Sequence, residues 1–155
     1  KGGIVQMTKA MATAWAKDNI QVNAILPGWI DTALTQRARR DVPALHEQDF
    51  ASHGFEWIDC HHSEHSVLSW LRWGRDGSFV VVAVNFTPVP QSAYRLGVPK
   101  AGRYVEVLNS DSGHYGGSNV GNAGALDACE GEWMNRPANL QITIPPLAAV
   151  LLRCG

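Results

Sequence analysis

SFVVVAVNF, residues 78–86, is the stretch on which the fold turns. Residues 80–84 are apolar without interruption, so a strand built from them has no wet face and lies centrally, covered on both sides. Similar short runs flank it: SVLSWL (66–71), RYVEVLN (103–109), NLQITI (139–144) and AAVLLR (148–153). Between them stand turn clusters at 74–77, 88–90, 99–102, 113–124 and 145–146, rich in Gly and Pro. Leu140, Ile142 and Ile144 alternate with Gln141 and Thr143, the pattern of a strand with one wet face. Short strands in this rhythm predict a mainly β body, an antiparallel β-sandwich over residues 53–155.

Upstream the vocabulary changes. A seam falls near RARRDVPALHE (37–47), and residues 42–52 read as a junction helix between two unlike segments. In residues 1–41, Ile4, Met7, Met11 and Ala14 or Trp15 recur at helical spacing. Asp18-Asn19 supplies a turn, IQVNAIL (20–26) a buried strand, and Pro27-Gly28 a stop. This predicts a helix-strand-helix appendage from an α/β Rossmann-like fold. The charge is also divided: residues 1–43 carry six Lys/Arg against three Asp/Glu, and residues 44–155 carry seven against eleven.

With 155 residues and a net charge of -1, the chain offers no electrostatic reason to expect nucleic acid or an anionic membrane as partner. No run reaches the ~18 apolar residues that span a bilayer. Cys60, Cys129 and Cys154 form an odd, scattered set that suits a reducing cytoplasm. The sequence starts at Lys1 rather than Met and reads as a truncated start.

The first segment, KGGIVQMTKAMATAWAKDNIQVNAILPGWIDTALT, resembles the short-chain dehydrogenase/reductase family. Lys1 falls on the Lys of that family's Tyr-x-x-x-Lys pair, and Pro27, Gly28 and Thr32 fall on its PGxxxT loop. The resemblance implies a Lys that holds the nicotinamide ribose, with Gly28, Ile30 and Thr32 as the remnant of a cofactor loop. The family's Tyr would stand four residues before Lys1, and the glycine-rich pyrophosphate turn would also lie upstream. An NAD(P)-dependent oxidoreductase is therefore the alternative reading, and NAD(P) belongs to that alternative alone.

From Val42 to Arg153 the sequence resembles the C-terminal end of bacterial glycogen branching enzymes, the 1,4-α-glucan enzymes of the α-amylase superfamily. VPALHEQDF, GFEWIDC, SVLSWLRWGRDG, VVAVNFTPVP, YRLGVP, VLNSDSGHYGGSNVGNAG and ITIPPLAAVLLR carry the resemblance, NFTPVP and YGGSNVGN most specifically. It implies an α-amylase-type C-terminal all-β domain. That family's catalytic Asp and Glu precede this domain on a barrel, about 5 Å apart across the scissile bond. Glu47, Asp49, Glu56 and Asp59 fall outside its catalytic motifs, so the piece by itself is expected to be inactive.

Carbohydrate contact would use exposed aromatics. Trp57, Trp70, Trp73, Tyr115 and Trp133 are the candidates, with Trp73 and Trp133 chosen as contacts. Trp70 and Trp73 are three apart and face opposite sides of a strand. Trp73, flanked by Arg72 and Arg75 beside a Gly turn, is expected to be the exposed platform. Cys60, His61, His62 and His65 have zinc-ligand chemistry but come from one segment, so the expectation is a solvated His-rich loop and no metal. Ser110, Asp111 and His114 lack a nucleophile-elbow context. Gly116 to Gly124 lacks the Lys-Ser/Thr of a phosphate loop and reads as a surface loop with positive φ angles.

Three functions follow. The favoured one is a noncatalytic accessory β-domain of a glucan branching enzyme, holding α-glucan weakly and needing no cofactor. The second is the oxidoreductase fragment. The third is an assembly module that self-associates through the apolar strand at 20–26.

Overall fold

The computed structural model of the protein describes residues 7, 8, 10, 11, 13, 14, 40–48, 50–61 and 64–155. The chain divides into two compact units, Lys1–Arg37 and Ala38–Gly155. In the first, Met7, Thr8, Ala10, Met11, Thr13 and Ala14 are helical, in keeping with the 3.6-residue period. The strand expected at 20–26, its Pro-Gly loop and a second helix lie outside the described residues.

Among the described residues the second unit holds eight strands: β1 (Phe55–Asp59), β2 (Val67–Trp73), β3 (Phe79–Asn85), β4 (Gln91–Val98), β5 (Gly102–Asn109), β6 (Ala125–Trp133), β7 (Arg136–Ile144) and β8 (Ala149–Cys154). They form one sheet in the order β1-β2-β3-β8-β5-β6-β7-β4, antiparallel at every pairing. The two layers expected of a sandwich are thus halves of a single sheet curled on itself. β6 makes the bend. Its first part, Ala125 to Ala128, pairs with β5, and its later part, from Cys129, pairs with β7. Gly131 falls in the later part, at the register shift between Glu130 and Trp133, with φ 137, where a side chain would be strained. The curl brings the edge strands β1 and β4 into contact and lays β3 against β7.

The inside of the curl is the core. Leu71, Val81, Leu96, Tyr104, Leu140 and Leu152, all buried, come from six strands and pack into one cluster. Alternation along β7 is as read from the sequence: Ala138, Leu140, Ile142 and Ile144 point in.

β3 is buried on both faces because its outer residues Val80 and Val82 are covered by Val42 and Ala44. The expected junction helix at 42–52 is not what covers it. Pro43–Leu45 and Ser52–Gly54 are isolated 3-10 turns. Pro43 opens the first turn, and His46 and Glu47 both donate their N–H to its carbonyl before the chain leaves the turn.

The NFTPVP motif has a structural explanation. Asn85, 1% exposed, donates from Nδ2 to the carbonyls of Val89 (2.8 Å) and Pro145 (3.0 Å). Its Oδ1 accepts from the N–H and hydroxyl of Thr87 at 2.9 and 2.8 Å. One amide therefore ties the β3–β4 connection to the β7–β8 connection, with every hydrogen-bonding site engaged.

Candidate functional site

Of the aromatics chosen from the sequence, Trp73 is the clear correction. It points inward with Val67, Ser69 and Leu71 of the same strand, half-buried against the core. Its ring lies 5.2 Å from Phe79, and its Nε1 donates to Glu56 at 2.9 Å. It is a structural residue. Arg72, taken as a flank of an exposed Trp73, instead shares the opposite face with Trp70, which is half-buried beneath Trp57.

Trp57 is 46% exposed and stands edge-on to both Phe55 (4.8 Å) and Trp70 (6.0 Å). Trp133, 39% exposed, donates from Nε1 to the carbonyl of Arg95 at 2.9 Å. The Arg95 guanidinium lies 4.3 Å above its ring, so a cation already occupies one face. Tyr115 is more open, at 54%.

Tyr115 belongs to the long connection between β5 and β6, the largest irregular feature of the β unit. This loop is held by side-chain hydrogen bonds to its own backbone. Asp111 accepts the N–H of Ser118 on Oδ1 (3.1 Å) and that of Val120 on Oδ2 (3.0 Å). Asn109 donates to the Val120 carbonyl at 2.8 Å and accepts from the Asp111 N–H at 2.9 Å. Asn119 accepts from the N–H of Gly113. Positive φ values at Gly116 (81°), Asn119 (60°) and Gly124 (88°) match the left-handed loop read from YGGSNVGN.

The loop and β5 together enclose an open cleft of about 630 Å³. Glu106, Asn109, Ser112, His114, Tyr115 and Asn119 are among its walls. Glu106 is fixed by Asn122, whose Nδ2 donates to its Oε2 at 2.6 Å. Asn122 also bonds Thr143 of β7 through both its donor and its acceptor, so β7 anchors the cleft. The sequence singled out the loop as irregular but not the cleft, because Glu106 and the loop meet only once β5 is in place.

Other carboxylates serve the frame. Glu56 accepts from Trp73 and pairs with Arg136 at 2.7 Å. Burial alone would push its carboxyl up, but the hydrogen bonds from Arg136 and Trp73 and the Arg136 charge bring it below its ordinary value. Glu47 accepts from the N–H of Arg75. Burial, helped by the charge of Asp59, raises the Tyr94 hydroxyl to about 12.

Cys60, His61 and His65 are exposed, with Cys60 Sγ 3.5 Å from His61 Nδ1 and His65 edge-on to Tyr94. His62 lies outside the described residues. Among the described residues no three His, Cys, Asp or Glu side chains gather as a metal site would require. Lys1, Gly28, Ile30 and Thr32, the dehydrogenase-like positions, all lie outside the described residues, as does Asp49.

Residues 57–155 match the family described as alpha amylase, C-terminal all-beta domain. The chain belongs to that family. The chain is 75% identical over 117 residues to the 1,4-alpha-glucan branching enzyme GlgB of Dechloromonas aromatica, covering 76% of this chain and 19% of that protein. Identity is 58% over 114 residues with GlgB of Nitrosococcus oceani, covering 74% of this chain and 15% of the relative. With that of Methylobacillus flagellatus it is 55% over 116 residues, 75% and 16% of the two chains. The chain thus spans less than a fifth of the length of these relatives. Residues 1–57 are similar to a second family, described as enoyl-(acyl carrier protein) reductase, which accords with a junction of two ancestries. Among the described residues no helix is long and apolar enough to cross a membrane.

Proposed function

We propose that residues 42–155 act as the noncatalytic C-terminal accessory domain of a 1,4-α-glucan branching enzyme. The observation that carries this reading is the 75% identity over 117 residues with a branching enzyme, within a matching all-β family. The carboxylates support the noncatalytic part. Retaining transfer between glucans needs an acid and a nucleophile about 5 Å apart. Glu56, Glu106 and Asp111 instead accept hydrogen bonds that clip strands together or shape a loop. The domain supports a catalytic part and touches α-glucan weakly through its exposed aromatics. It works in the cytoplasm, a compartment that suits its free cysteines Cys60, Cys129 and Cys154.

The test is incubation of the 155-residue chain with amylose, followed by debranching and chain-length profiling. The expected profile is that of untreated amylose. New α-1,6 branch points would overturn the noncatalytic assignment.

A further inference from the structure

We infer that the cleft between β5 and the loop at 110–124 is an α-glucan subsite with Tyr115 as its stacking platform. The inference rests on the accessory-domain reading for its ligand class and adds the place and the residues.

The chemistry of the walls selects the ligand. No Lys or Arg lines the cleft, and the carboxylate of Glu106 does, so a phosphate or other anion would meet repulsion rather than a counter-ion. A metal ion would find one carboxylate and no cluster of ligands around it. What the cleft offers is neutral hydrogen bonding beside an exposed ring. Glu106 uses Oε2 on Asn122 and keeps Oε1 as an acceptor. Asn119 uses Oδ1 on Gly113 and keeps Nδ2 as a donor. Ser112 accepts from the N–H of His114, leaving its hydroxyl proton to donate. An acceptor, two donors and an aromatic surface fit an uncharged polyol with an apolar ring face, which is a glucose unit.

The loop is also rigid. The loop carries no apolar core of its own, yet its backbone is fixed by Asp111, Asn109 and Asn119. Gly117 approaches the Asp111 backbone so closely that a Cβ there would collide with it. A preformed polar wall loses little conformational freedom when a sugar docks. Tyr115 makes one ring contact, edge-on to His114 at 5.2 Å, and remains more than half exposed. Its ring therefore presents open surface on which a sugar face can stack.

The experiment is an amide NMR titration of the full chain with maltoheptaose, for wild type, Tyr115→Ala and Tyr115→Phe. The expected result is shifts concentrated at residues 106–124, a dissociation constant raised about fivefold or more in Tyr115→Ala, and near-wild-type binding in Tyr115→Phe. Unchanged melting of Tyr115→Ala confirms that its fold is intact. Shifts confined to the β1–β2 face around Trp57, equal affinity for Tyr115→Ala, or no shifts at all would overturn the subsite. None of these would touch the accessory-domain reading, which stands or falls on the amylose profile.

Discussion

Arg136, the first residue of β7, places Nη2 2.7 Å from Oε1 of Glu56 on edge strand β1. The same nitrogen donates to the Trp57 carbonyl at 3.1 Å. β1 and β7 are distant in the order of the sheet, so this pair bridges the mouth of the curl. Arg136 is the more buried partner, with 16% of its side chain exposed against 45% for Glu56. Loss of its head group would remove the donor to Glu56 Oε1 and to the Trp57 carbonyl, leaving Glu56 only the hydrogen bond from Trp73 on Oε2. Arg136→Ala is expected to cost about 1 kcal/mol, more than a fully exposed pair and less than a buried one, read by urea unfolding.

The sign of the pH effect follows from the lowered carboxyl of Glu56. A carboxyl that binds its proton less readily when folded stabilises the fold above its unfolded value. That contribution is lost as pH falls through the folded value. The stability gap between wild type and Glu56→Gln should therefore be full above pH 4.5, the ordinary value, and close as the pH drops further. Melting curves of both proteins across that window check it, and a gap that widens toward acid would contradict the assignment.

Trp73 and Trp57 should respond in opposite ways. Trp73→Ala empties space in the core and removes the Nε1 donor to Glu56, costing about 3 kcal/mol or more. Trp57→Ala trims a largely exposed ring and should cost about 1 kcal/mol or less. Equal losses in chemical denaturation would refute the inward placement of Trp73.

Asn85→Asp keeps the shape and reverses the chemistry. A carboxylate oxygen would face the carbonyls of Val89 and Pro145, where Nδ2 now donates. The expected cost is about 3 kcal/mol, with recovery toward acid as the new carboxyl is protonated. Thermal melts at neutral and acidic pH separate this from simple loss of packing.

Gly117→Ala should disturb the loop without disturbing the core. Its Cβ would strike the Asp111 backbone, so the segment that Asp111 holds must shift. Amide exchange at Ser118 and Val120 is expected to accelerate while exchange in β3 and β8 stays slow.

The sequence already revealed the strands that carry a strong pattern. β2, β3, β5, β7 and β8 all contain branched apolar runs or strict alternation. β1, β4 and β6 escaped notice for separate reasons. β6 has a single buried residue, Ala128, because it runs through the bend and gives most of its side chains to solvent. β4 does alternate at Tyr94, Leu96 and Val98 with Arg95 outward, but Gly97 dilutes the signal. Gly97 is required there because a Cβ would collide with the Trp133 carbonyl, a contact that exists only after folding. β1 is short and at an edge.

The candidate site was less legible than the frame. Strand periodicity put Trp70 and Trp73 on opposite faces but left open which face was the core. Arginine neighbours pointed to Trp73 as exposed, whereas Arg72 shares Trp70's face and both rings are half-buried. The left-handed loop at 113–124 was legible from its Gly and Asn content. Its partnership with Glu106 was not, since the two join through Asn122 and a strand from another part of the chain.

Whether residues 42–155 serve as the accessory domain is decided by a domain exchange: the segment of the Dechloromonas aromatica enzyme that matches them is replaced by those residues, and amylose branching is measured. The hybrid is expected to be soluble, to unfold as the parent does and to branch amylose at the parent's rate. A hybrid whose β-domain melts as a native, separate unit while branching is lost would contradict that role.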